Sequence, residues 1–256
     1  MESTKIKPLD VLSESQLSEI RKKNDLRNIF ALLFDWGLMV LGLYVFYYYP
    51  SILTFLASVV VIGSRQFALA VLAHDGAHNL LFSNSKINDF ISQWFCAYPI
   101  FQDNRVYRPY HLKHHRFTET EEDPDLILSA PFPINKKSFF RKVVRDLTGV
   151  TGYRRYSSSL VSIFKTEGDN SSGKISRIWN KIHGFFIVNL AIFVLISSFF
   201  HWSLFFLLWW LPAFTYYSLI IRIRNIAEHC VTPGESDFNN TRTTRASFLM
   251  RFLLAP

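Results

Sequence analysis

Apolar residues in this chain fall into four long runs arranged as two close pairs. Residues 29–49 read IFALLFDWGLMVLGLYVFYYY, about 31 Å of helix at 1.5 Å per residue, which matches the hydrocarbon thickness of a bilayer. Pro50 breaks the run, and residues 51–73 (SILTFLASVVVIGSRQFALAVLA) predict a second span of similar length. The second pair covers residues 184–200 and 202–221, joined through His201. Asp35 interrupts the first run and Arg65 the second. Charges inside a membrane face the bundle interior and are paired, and a mutual pairing of these two would meet that need. Residues 87–101 (INDFISQWFCAYPIF) are too short and too polar for a fifth span and predict an interfacial helix, as do residues 247–254. The expected architecture is an all-α membrane protein, with four transmembrane helices in two hairpins and a helical cap.

Charge fixes the expected orientation. Every Lys and Arg except Arg65 lies in the N-terminal segment, between the two pairs, or beyond residue 221, and the two hairpin turns hold none. The positive-inside rule then divides one domain into a cytoplasmic N-terminus (1–28), a first hairpin (29–73), a cytoplasmic cap (74–183), a second hairpin (184–221) and a cytoplasmic segment (222–256). The net charge of +8 is accordingly read as facing the lipid bilayer, with no nucleic acid partner. Cys96 and Cys230, the only cysteines, are too few for a disulfide framework and are expected to be reduced thiols.

Chemistry enters with the histidines. His74 and His78 stand in HDGAH, and His111, His114 and His115 in HLKHH. Helical residues three or four apart share a face, so each cluster can aim its rings at one point. The first cluster begins where the second span leaves the membrane. The segment RIRNIAEHC puts Asn225 and His229 on one face as the fourth span leaves it. Three elements thus bring imidazoles to one membrane edge. Imidazole binds iron, zinc, copper and nickel alike, so spacing indicates a metal without naming it. His183 and His201 stand apart and are read as structural. Asp75, Glu228, Asp123 and Asp125 are the acidic residues best placed to orient metal-bound imidazoles by accepting their other N–H. Arg105 and Arg108, with Tyr107 and Tyr110, precede the second cluster as candidates for a phosphate-bearing head group or as interfacial anchors.

HDGAH, HLKHH, the DPDL of residues 123–126 and RNIAEH, set among four spans in this order, resemble the membrane fatty acid desaturase and hydroxylase superfamily over almost the whole chain from the first span onward. The resemblance implies two iron ions held by His74, His78, His111, His114, His115 and His229, with Asn225 supporting one through water. It also implies O2 as co-substrate and a lipid acyl chain as substrate. That superfamily has a further HxxHH or QxxHH box, which the sequence does not reach before Pro256. The expectation is therefore a truncated chain, inactive alone. Oxidising an unactivated methylene needs a metal-activated oxidant, because its C–H bond has no acidity for a side-chain base to exploit. No Gly-rich dinucleotide fingerprint and no haem or iron–sulfur cysteine motif occurs, so electrons are expected from an external donor, ferredoxin-like or cytochrome b5-like. Alternatives are a hydroxylase or ketolase of the same superfamily acting on a carotenoid, sphingolipid or alkane, and a non-catalytic membrane scaffold. An intramembrane zinc peptidase fits poorly, since Asp75 stands where HExxH has its glutamate.

Overall fold

The computed structural model describes residues 8–164, 171–232 and 241–254. The ends of the expected N-terminal and C-terminal segments (1–7 and 255–256), part of the cap (165–170) and residues 233–240 lie outside them. The described residues are helical, without strands. A short α1 (Glu14–Ile20) precedes α2 (Asp25–Tyr48) and α3 (Ile52–Ala77). Then come α4 (Ser85–Ile91), a π-type turn (Ser92–Ala97) and a 3-10 turn (Tyr98–Ile100). The chain continues through α5 (Asn104–Phe117), α6 (Leu126–Ser129), α7 (Lys136–Leu147), α8 (Val150–Phe164) and α9 (Ser171–Phe199). It closes with a π-type turn (Phe205–Trp210), α10 (Leu211–Phe214), α11 (Tyr216–His229) and α12 (Phe248–Leu254). Four helical stretches are long and apolar enough to cross a membrane: Glu14–Tyr48, Ile52–Ala77, Ile178–Phe199 and Phe205–His229.

α2 and α3 are divided where the sequence divides them. Pro50 cannot continue α2, and Ser51 caps α3 by accepting the Thr54 N–H at 3.1 Å. The two helices meet through small residues, with Ser58 Oγ donating to the Gly42 carbonyl at 2.8 Å and Gly42 seated under Ile62. Two turns further, Arg65 Nη1 donates to Asp35 Oδ1 at 2.9 Å, both side chains buried. The pairing allowed by the sequence is therefore present.

Other expectations shift. His183 lies inside α9, where its Nδ1 donates to the Trp179 carbonyl at 3.0 Å, because the helix begins well before residue 184. The fourth apolar stretch is not one regular helix. Pro212 has no N–H to give, and the chain breaks at Thr215 before α11 runs on to His229, eight residues past the expected end of the span. Residues 87–101 do not lie as a free interfacial helix, since Cys96, Ala97, Tyr98 and Ile100 are buried and the segment packs on α3. α12 forms as expected but docks against the middle of α3. There Ser64 Oγ donates to the Phe252 carbonyl at 2.7 Å and Arg65 donates to the same oxygen. That contact caps the last turn of α12, whose carbonyls have no partner within their own helix.

Candidate metal centre

The centre is assembled by fixing the end of α3. Its final carbonyls would be left without partners in a buried setting, and residues of α4 and α5 supply them. Asn104 Nδ2 donates to Ala73 O at 2.8 Å, Asn88 Nδ2 to Gly76 O at 2.9 Å, and Arg108 to Gly76 O and Ala77 O at 3.0 and 2.9 Å. Asn79 follows in the left-handed region (φ 59°), and Leu80 N bonds Asp75 O while Asn79 N bonds Gly76 O, a Schellman closure that Asn tolerates. Gly76 is the point of closest approach: a Cβ there would lie 2.2 Å from Ser92 Cβ. α5 starts at Asp103, whose carboxylate accepts the Arg105 N–H, and the Asn104 N–H donates to Gln93 Oε1. The ends of α3 and α5 are thereby locked side by side, with His74 and His78 on one and His111, His114 and His115 on the other.

His74, His78, His111 and His115 each offer a ring nitrogen, and these nitrogens all lie within 4.8 Å of one another. His111 Nε2 is 3.0 Å from His78 Nε2 and 2.9 Å from His115 Nε2. Nitrogens facing each other at that spacing, with no carboxylate between them, fit a cation at their centre: an all-imidazole donor set suited to iron, zinc, copper or nickel. Three of the rings, His78, His111 and His115, are biased toward the neutral form that a ligand needs. Burial, then the neighbouring histidines, pushes His111 down to about 2 and His115 down to about 4, and burial lowers His78 as well.

His114 and His229 lie beside this group, 5.0 Å apart between ring centroids. His114 Nδ1 donates to Asp123 Oδ1 at 2.8 Å, which leaves its Nε2 bare. His229 Nδ1 is buried with no hydrogen-bond partner among the described residues. An orphaned ring nitrogen on an imidazole packed beside a second one is what an additional metal ligand would leave. Asn225 is close to this end of α11, but its Oδ1 accepts from Cys230 Sγ at 3.7 Å.

Of the acidic candidates, Asp123 and Asp75 meet histidines. Burial would raise the Asp123 carboxyl, but the bonds from His114 and from the Asp125 and Glu119 amides hold it below the usual carboxylate range. Asp75 Oδ1 lies 3.2 Å from His74 Nδ1. Asp125 accepts from Tyr110 Oη at 2.6 Å and stands 3.8 Å from His114 Nδ1. Glu228 is taken by Arg224 on the same helix and reaches no imidazole. Arg105 and Arg108 are tied into the fold. The first bonds Asp103 and Tyr98 Oη, the second the end of α3 and Asp89. Tyr107 stacks on His111 at 4.9 Å between centroids. Sequence reasoning missed Asn88, Asn104, Gly76 and Ser92, whose roles depend on contacts between distant segments. His201, bonded to Ser203, lies outside the cluster.

Comparison with known proteins agrees with this arrangement. A family model described as fatty acid desaturase matches residues 50–256. Dihydrorhizobitoxine desaturase of Bradyrhizobium elkanii is 28% identical over 210 residues, covering 77% of this chain and 58% of its own length. The chain thus spans less than two thirds of that relative. A match over this much of the chain, with its histidines gathered at the helix ends, identifies it as a member of the fatty acid desaturase family.

Proposed function

We propose that this chain forms the membrane body of a lipid acyl desaturase, and the observation that carries the reading is the convergence of four imidazoles at the joined ends of α3 and α5. His74, His78, His111 and His115 would hold one iron, and His114 and His229 would be available to a second. When bound, two irons with O2 and electrons from a ferredoxin-like or cytochrome b5-like donor supply the oxidising power to take two hydrogens from adjacent acyl methylenes. The chain's own residues orient and insulate. Asp123 and Asp75 fix the rings of His114 and His74 by accepting from Nδ1. Tyr107 covers one face of His111. Asn225 acts through water once Cys230 releases it. In this reading α2 with α3, and α9 with the Phe205–His229 stretch, form two hairpins in the bilayer, with both termini and the histidine-bearing cap cytoplasmic. The one-sided distribution of Lys and Arg supports that orientation. Desaturation is favoured over hydroxylation because the relative's name records a desaturation, while its named substrate is not carried over at 28% identity.

The test is expression of the gene in a host whose lipids lack the product double bond, followed by analysis of acyl chains. New unsaturation that disappears in His111→Ala supports the reading. A hydroxylated product would assign the same site to a hydroxylase, and unaltered lipids despite an iron-loaded protein would contradict it.

A further inference from the structure

We propose that α7 and α8 form an interfacial platform that binds anionic lipid head groups. This rests on the membrane-spanning reading above. The inner face of α7 is fixed by fully buried Asp146, which accepts from Arg222 and from Thr151 Oγ1. Its outward face is left with two parallel stripes. Phe140, Val144 and Leu147, spaced i, i+4, i+7, are 67%, 40% and 48% exposed. Lys137, Arg141 and Arg145, spaced i, i+4, i+8, run alongside, all exposed and without an ion-pair partner among the described residues. α8 extends the apolar stripe with Tyr153, Leu160 and Phe164 exposed, beside one exposed cation, Arg154.

Depth selects the partner. Gly152 at the start of α8 touches the Phe214 backbone so closely that a Cβ would lie 2.4 Å from its carbonyl oxygen. Arg222, which pairs with Asp146 of α7, is the first residue beyond the expected fourth span of residues 202–221, so α7 lies at the edge of that span. α7 therefore sits at head-group level, where phosphates and acyl carbons adjoin, and α8 reaches from it toward Phe214. A helix with a basic stripe beside an aromatic and aliphatic one matches that boundary. A soluble acidic carrier would satisfy the charges alone, and the apolar stripe would have no reason to face outward at this depth.

The experiment places an environment-sensitive fluorophore on Val144→Cys in the full chain, in nanodiscs of phosphatidylcholine with increasing phosphatidylglycerol. The native Cys96 and Cys230 are buried. A second label on Leu41→Cys, on the exposed face of α2, reports the span itself. The proposal expects the Val144 probe to shift to the blue and gain protection from acrylamide as anionic lipid rises. Neutralising Lys137, Arg141 and Arg145 to Gln should weaken that preference on the order of 100-fold, about fivefold per cation, with the Leu41 probe unchanged. A Val144 probe that stays in water at every composition, or is shielded only when an acidic soluble protein is added, overturns it. A Leu41 probe in water would overturn the spanning reading, and this inference with it.

Discussion

Gly76→Ala is the substitution whose effect on the metal centre follows most directly from the packing. Gly76 lies between His74 and His78, and the added methyl would sit 2.2 Å from Ser92 Cβ and 2.6 Å from Ser92 Oγ. That is more than ~1 Å short of carbon–carbon contact at about 3.5–4.0 Å. Ser92 is 1% exposed and belongs to a turn held by Asn88 and Gln93, so it cannot swing into open space. Overpacking of this kind costs about 1–3 kcal/mol. If the fold absorbs the strain, the melting temperature falls. If the end of α3 tilts away, the four ring nitrogens spread, and the same energy appears as roughly a 5- to 150-fold loss of metal affinity. The assay is Fe(II) titration against a competing chelator, paired with thermal unfolding in nanodiscs. The double variant Gly76→Ala with Ser92→Gly should recover most of either loss. A single variant that melts and binds Fe(II) like the parent, or a double variant with no recovery, would refute the described contact between α3 and the Ser92 turn.

Asp35→Ala should destabilise the protein by about 3–5 kcal/mol, because it leaves Arg65 buried without its carboxylate. Thermal unfolding should show most of that regained in Asp35→Leu with Arg65→Met, and equal melting of parent and single variant would count against the pair. Asp123→Asn should loosen metal retention about 10–100-fold in chelator competition, since Asp123 orients the His114 ring. Identical retention would remove that role. His111 stays neutral in the fold down to about pH 2, whereas in the unfolded chain it takes a proton near its ordinary 6.5. The unfolded state then binds the extra proton across that interval, so metal-free protein should lose up to about 1.4 kcal/mol of stability per pH unit as pH falls below 6.5. His111→Gln should flatten the slope by one proton, and an unchanged slope would contradict the assignment.

Much of the fold was legible because membranes impose simple rules. Four apolar runs and a proline break located α2, α3 and the core of α9, and the isolated charges Asp35 and Arg65 found each other as burial requires. The histidines were legible for a similar reason: spacing of three and four puts rings on one helical face, and two such faces at adjoining helix ends converge. What single-sequence reasoning could not supply is contact between distant segments. Nothing around Asn88 or Asn104 marks them as the residues that complete the end of α3, and nothing around Arg108, a head-group candidate or interfacial anchor by sequence, announces its bonds to Gly76 and Ala77. The fourth apolar run, residues 202–221, was read as one regular span because its mean apolarity is high. Pro212 and the break at Thr215, to which α8 packs through Gly152, override that pattern. Residues 87–101 mislead in the opposite direction, since their aromatic outer face resembles a bilayer-facing helix while their inner face is core.

X-ray absorption at the iron edge, on protein loaded with Fe(II) in nanodiscs, tests the central claim most directly. The account predicts a first coordination shell of nitrogen and oxygen, with the multiple-scattering signature of several imidazoles, and the loss of that signature in His74→Ala with His111→Ala. An iron shell without imidazole scattering, or the same spectrum after both histidines are removed, would contradict a metal centre built by the ends of α3 and α5.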